Sequence, residues 1–433
     1  MNGDAGFVQQ PLGRLPLADV RAVGGPVTLP LLACYVAFAL LGWLAAAVAL
    51  IAAAPDLASG RPMAATPLLA AHLVALGFLP LAVSAAAFHL LPVMLRNGLH
   101  SERRLWVALP LLVGGGWLLA PGIAFGVGAA VWPGAALLTV GLALIGVELA
   151  GLVVHAPRGR LLVASRIGVA LSLFHVAAAL ALGALVFAHG DAPVLGLSHT
   201  RWLLIHLHIA LLGWLALLIV TVGRTLGPMR ALAPAAPARR VPAEELTLTL
   251  GLWLLGGGIA ADRRLAFVGA TLVLAALARF GALLTHVARR RRVELEGPLA
   301  HFLAGAVFLL QAAVLGFALL AGAVSQRHGL AAYVLLLLIG WAAGVTLGHL
   351  PKLLSLSIWV WWPPGPRPKQ AALYPRRLAQ AEAAVFALGV ETLAASVYFG
   401  SVAAARTGAA LLAAAALLVT ATAASSWARR SRT

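Results

Sequence analysis

His72-Leu-Val-Ala-Leu-Gly77-Phe78, running on to Pro92, and His208-Ile-Ala-Leu-Leu-Gly213-Trp214, running on to Pro228, are two copies of one phrase in one register. In both, five residues separate histidine from glycine and fifteen separate glycine from proline, so each copy fills one membrane-length helix. A repeat of whole helices constrains the fold more than any single side chain does. A degraded third copy sits at Gly340-Trp341, with Leu335 at the histidine position and Ser355 at the proline position.

The length of those helices matters because this chain is built for lipid. Hydrophobic residues make up 62% of its 433 positions, mean hydropathy is +0.97 and 10% are charged, well outside soluble globular composition. Apolar runs of about 20 residues recur, each able to cross roughly 30 Å of hydrocarbon as a helix. A backbone in lipid must satisfy its own hydrogen bonds, so an all-α polytopic membrane protein follows. Twelve spans are expected, at 27–54, 66–95, 104–128, 131–155, 161–188, 199–226, 245–261, 264–288, 298–322, 330–360, 376–402 and 405–428. The repeated phrase falls on the second, sixth and tenth. Every fourth span therefore carries it, which predicts three four-helix units around a pseudo-threefold axis with the repeat helices innermost.

The net charge of +18 marks sidedness rather than nucleic-acid binding. With the N-terminus inside, Arg96, Arg103, Arg104, Arg158, Arg160, Arg230, Arg239, Arg240, Arg289 to Arg292, Arg367, Lys369, Arg376, Arg377 and Arg429 to Arg432 share one side, and few cations fall on the other. The positive-inside rule then gives cytoplasmic termini in a bacterial-type inner (plasma) membrane. The expected organisation is a cytoplasmic segment 1–26 without a cleaved signal peptide, a single transmembrane domain 27–428, and a tail 429–433. The domain carries a flexible inner linker at 230–244 and a Pro-rich inner loop at 362–375. Cys34 is the only cysteine, which excludes an internal disulfide, a thiolate metal cage and covalent c-type haem attachment.

Any redox centre must therefore use histidine. His72 and His208 begin helices that run from outside to inside, so both lie at matching levels in the outer half of the membrane. His89 lies roughly 25 Å further along its helix, too far to share a site with His72. His206 and His208 stand about 200° apart around one helix, and the repeat register selects His208 to face the centre. Two imidazoles at one depth are what a haem or metal site between helices needs, and neutral imidazole is a good ligand for iron or copper. The structural alternative is a hydrogen bond to a neighbouring helix, the default for His100, His155, His189, His199, His286, His301 and His328 near helix ends. Gly77, Gly213, Gly340 and Gly348 permit close helix approach or leave room for a flat macrocycle.

Intramembrane acids are costly unless paired. Lys352 and Glu382 are expected to form an ion pair, and Glu391 has His175 and Gln311 as neighbours. With His349 these residues sketch either a structural polar network or a proton path. Glu148 is a third acid within a span, and Arg224 either snorkels or holds an anionic group.

The twelve spans, the threefold repeat and the histidines on spans 2 and 6 together resemble the haem–copper oxidase catalytic subunit. Ala71-His-Leu-Val-Ala-Leu-Gly-Phe78 with Phe88-His-Leu-Leu-Pro92, and Leu207-His-Ile-Ala-Leu-Leu-Gly-Trp214, look like the stand-alone cytochrome c oxidase subunit I-like membrane proteins of that superfamily. The resemblance implies that His72 is a low-spin haem ligand and that His208 or His206 is a copper ligand. It also implies histidines on spans 7 and 10. Glu244 to Ala261 contains none and span 10 offers only His349, so a complete dinuclear centre is not expected. The expected function is haem or metal binding in electron transfer, sensing or respiratory-complex assembly, with oxygen or nitric-oxide reduction not expected. The expected partners are the lipid bilayer and other membrane or respiratory-chain subunits, not nucleic acid. A nitric-oxide-response-type haem/copper membrane protein, a transporter and a cofactor-free scaffold are the alternatives.

Overall fold

The computed structural model describes residues 27–157, 160–190, 192–230, 233–234, 242–292 and 297–430. The expected segment 1–26, most of the linker 230–244 and residues 431–433 lie outside the described residues. Twelve long helices follow one another among the described residues. They are α1 (Leu29–Ala58), α2 (Ala65–Leu95), α3 (Glu102–Ala124), α4 (Gly128–His155), α5 (Arg160–His189) and α6, which begins at His199 and ends at Arg230. The second half comprises α7 (Ala243–Ala260), α8 (Arg263–Arg289), α9 (Gly297–Ala321), α10 (Gln326–Val360), α11 (Arg376–Phe399) and α12 (Val402–Ala428). Eleven are long and apolar enough to cross a bilayer. The remaining helix, α7, opens on Glu244 and Glu245, whose charge lowers its hydropathy. The chain is a polytopic helical membrane protein.

The three helices that carry the repeated phrase are the most enclosed of the eleven: 67% of the apolar window of α2, 61% of α6 and 83% of α10 is buried. Each changes its winding at the same place. A π-helical segment covers Leu73–Phe78 in α2, Ile209–Ala216 in α6 and Leu335–Ala343 in α10. In α2 and α6 it begins on the residue after the repeat histidine, and in α10 on Leu335 itself. A π turn inserts one extra residue and widens the helix, and such turns are rare outside functional or strained sites.

Small residues set the packing. In the hairpin of α3 and α4, a Cβ on Gly115 would lie 2.5 Å from the backbone N of Leu138, and one on Gly134 would lie 2.7 Å from that of Leu119. The α7–α8 hairpin repeats this with Gly251 against Val273 N (2.8 Å) and Gly269 against Leu255 N (2.2 Å). The α11–α12 hairpin repeats it with Gly389 against Leu412 N (3.0 Å) and Gly408 against Leu393 N (2.5 Å). In all three, each glycine faces the nitrogen four residues beyond its partner glycine. Without a hydrophobic drive between helices in lipid, such close backbone approach is what holds them together.

The acid in α4 has a structural task. Glu148 is fully buried and accepts from His100 N (2.9 Å), Ser101 N (3.1 Å) and the Arg104 guanidinium (2.6 Å). Ser101 is the N-cap of α3 but makes no side-chain cap of its own, so Glu148 caps that helix from across the hairpin. A Glu148→Ala chain is expected to lose about 2–3 kcal/mol, the worth of charge-assisted hydrogen bonds to buried donors, read as a lower unfolding midpoint in detergent.

At the arginine-rich end of α6 a second charged cluster forms. Arg224 pairs with Glu244 (3.4 Å) and Glu245 (3.0 Å) of α7, and Arg279 of α8 pairs with Glu244 (3.3 Å). The anionic group that Arg224 holds is thus a pair of glutamates, and the clamp neutralises the first turn of α7.

Candidate functional site

His72 and His208 are held alike. The Nδ1 atom of each lies 2.7 Å from the carbonyl four residues earlier, Leu68 O and Leu204 O respectively. Donation of the Nδ1 proton to a carbonyl fixes the neutral tautomer and leaves the Nε2 lone pair as the acceptor or ligand atom. The two histidines differ in what Nε2 meets. His208 Nε2 lies 2.7 Å from the hydroxyl of Tyr333 on α10. Since Nδ1 already donates, the Tyr333 O–H donates to Nε2, and both side chains are buried. Among the described residues, His72 Nε2 has no hydrogen-bond partner, and its ring keeps some accessible surface.

His206 has the same half-open arrangement. Its Nδ1 bonds the carbonyl of Ala179 on α5 at 3.0 Å, its ring lies over Gly183, and its Nε2 has no hydrogen-bond partner among the described residues. His206 thus faces α5, while His208 faces Tyr333 on α10. The two histidines stand on different sides of α6, as their spacing of two residues requires. Tyr333 had no signal of its own in the sequence beyond standing two residues before the third histidine position.

Imidazoles with free Nε2 atoms, such as those of His72 and His206, suit iron or copper as neutral nitrogen ligands. Among the described residues no three or more His, Cys, Asp or Glu side chains are grouped as a metal site would group them.

The other polar candidates are distributed over separate contacts. His175 is fully buried on α5, with Nδ1 on Leu171 O (2.7 Å), its ring against Gly213 of the α6 π segment, and Nε2 without a hydrogen-bond partner among the described residues. Its aromatic neighbours are Phe174 and Trp253, so it does not join Glu391. Glu391 on α11 accepts from Gln311 Nε2 of α9 at 2.6 Å. Glu382 bonds His301 Nε2 at 2.6 Å instead of Lys352, and both side chains are buried. The Lys352 ammonium lies 4.8 Å from the centre of the Tyr374 ring. His349 holds Val345 O through Nδ1 (2.7 Å), and His89 Nδ1 meets Ser357 Oγ of α10 at 3.0 Å. His301, four residues after Gly297 near the start of α9, makes the hydrogen bond to another helix expected of it, to a partner 81 residues away on α11.

No protein-family model matches the chain, and no curated protein matches it in sequence.

Proposed function

We propose that the chain is a haem- or metal-binding membrane protein built on the frame of the haem–copper oxidase catalytic subunit, without a complete dinuclear centre. It serves electron transfer, sensing or respiratory-complex assembly, in a bacterial-type inner membrane with its termini in the cytoplasm. The observation that carries the reading is the contact of His208 with Tyr333, in which the histidine position of one four-helix unit meets the position two residues before the corresponding one in the next. The same step from the first unit pairs His72 with His206, two before His208, and from the third it pairs Leu335 with Ala70, both apolar and buried.

Three further regularities support a threefold frame. The π segments start at one level of the phrase, and the three glycine hairpins share one register. The residues facing Gly77, Gly213 and Gly340 are Gly42, His175 and Phe308, spaced by 133 residues each time. The vacant third position then has a physical reading: each of the three contacts carries different chemistry, and only the first presents two free nitrogens.

In this frame His72 and His206 would hold a metal or haem iron through Nε2, each oriented by its own carbonyl. Such a group would supply one-electron chemistry when bound. His208 and Tyr333 fix α6 against α10 beside it.

Paired cysteines in a Cys34→Ser background test the frame. Ala70→Cys with Leu335→Cys is expected to cross-link with a short thiol reagent as readily as His208→Cys with Tyr333→Cys. Failure of the first pair alone contradicts the threefold reading. A wild-type protein that stays colourless and metal-free after expression with ample haem and copper contradicts the ligand site, leaving the cofactor-free scaffold.

A further inference from the structure

We propose that the cleft between α9, α10 and α11 binds an amphipathic amine, its ammonium on Glu391 and its apolar tail in the bilayer. The cleft has a volume of about 220 Å³ and is lined by Gln311, Leu315, Leu336, Glu391, Tyr398 and Phe399 among others. It shares no residue with the imidazole site, so the inference goes beyond the proposed function and stands without it.

The polar groups inside are acceptors in excess. Gln311 Nε2 donates to Glu391 Oε1 at 2.6 Å, which leaves Gln311 Oε1 without a donor among the described residues. Among the described residues no lysine, arginine or histidine forms an ion pair with Glu391, although the chain carries a net charge of +18. Glu391 stands eight residues before the end of α11 at Phe399, about 12 Å along the helix, at a depth where an ionised carboxylate is costly without a counter-charge. The missing chemistry is a cation.

The mouth determines how that cation arrives. Leu310 and Val314 of α9, and Leu388 and Phe399 of α11, are exposed and apolar, so the surface around the cleft is one that lipid covers. Tyr398 and Phe399 pack edge to face, with ring centres 5.1 Å apart, and offer aromatic faces that attract an ammonium. A carboxylate, a spare amide oxygen and two aromatic rings in an apolar cleft complement a protonated amine with a hydrocarbon tail. An alcohol lacks the charge and an anionic amphiphile carries the wrong one.

The test is equilibrium binding of tritiated dodecylamine to the full chain in phosphatidylcholine nanodiscs, with empty nanodiscs subtracted. Wild type is expected to bind saturably and Glu391→Gln about tenfold or more weakly, since the variant keeps the shape and the Gln311 contact but loses the charge. Tyr398→Leu, which leaves the carboxylate in place, is expected to weaken binding by about threefold. Equal competition by dodecanol, or unchanged binding in Glu391→Gln at an unchanged unfolding midpoint, overturns the proposal. Should Glu391→Gln fail to fold, unchanged binding in Tyr398→Leu together with dodecanol competition overturns it. Competition by phosphatidylethanolamine nanodiscs would identify a lipid head group as the source of the ammonium, and its absence a free amine. Both outcomes support the same chemistry.

Discussion

A Gly42→Leu chain is expected to yield no folded protein. A Cβ on Gly42 would lie 2.2 Å from Gly77 O, 2.6 Å from Gly77 C and 3.1 Å from Phe78 N, all backbone atoms of the α2 π segment. A flexible side chain could swing away, but a carbonyl inside a helix moves only if the helix moves. The opposite side of the segment is equally tight, since a Cβ on Gly116 of α3 would lie 2.6 Å from Leu76 O. The widened turn of α2 is thus gripped by two glycine-bearing helices, α1 and α3, and cannot retreat from either. Gly42→Ala alone is expected to cost about 3 kcal/mol, at the upper end for one overpacked methyl, and leucine considerably more. Gly146→Ala is the control, because nothing lies within 4 Å of its added Cβ. Detergent-solubilised yield and unfolding midpoint should fall in the order Gly146→Ala, Gly42→Ala, Gly42→Leu.

A His301→Ala chain is expected to lose about 3–5 kcal/mol, because it leaves Glu382 buried with no counterpart. The pair is closed at 2.6 Å between side chains that are 2% and 3% exposed. The ring packs on Gly348 and beside Phe386, 5.1 Å between ring centres. Removing the imidazole therefore removes both a partner and a packed surface. Replacing both members by apolar residues, His301→Phe with Glu382→Leu, removes the orphaned carboxyl and should recover most of the midpoint. If the double variant is no better than His301→Ala, the loss comes from packing around Gly348 rather than from the unpaired acid.

Much of the frame was readable in the sequence because lipid makes strong demands on it. Apolar runs specify the helices, eleven of them long and apolar enough to cross a bilayer, and the spacing of Gly77, Gly213 and Gly340 identifies the most enclosed three. The Gln311–Glu391 contact was also within reach, since both polar side chains stand at similar depth on nearby spans. The π segments were not, because one extra residue in a turn leaves no mark in composition. The repeat register favours His208 over His206 on the argument that one face of α6 meets the centre, whereas both faces are used, that of His206 towards α5 and that of His208 towards α10. Glu148 and Glu382 had predictable costs but not predictable partners. A helix N-terminus across a hairpin and a histidine 81 residues away depend on packing that no local pattern encodes.

On the proposed reading His72 and His206, on different helices, share one ligand site to which His208 does not belong. Haem and metal content per chain, with the absorption spectrum, tests it in wild type, His72→Ala, His206→Ala and His208→Ala, all expressed with ample haem and copper. A cofactor is expected in wild type, lost in both His72→Ala and His206→Ala, and retained in His208→Ala with a lowered unfolding midpoint. Unchanged content in His206→Ala, or loss in His208→Ala at an unchanged midpoint, would contradict it.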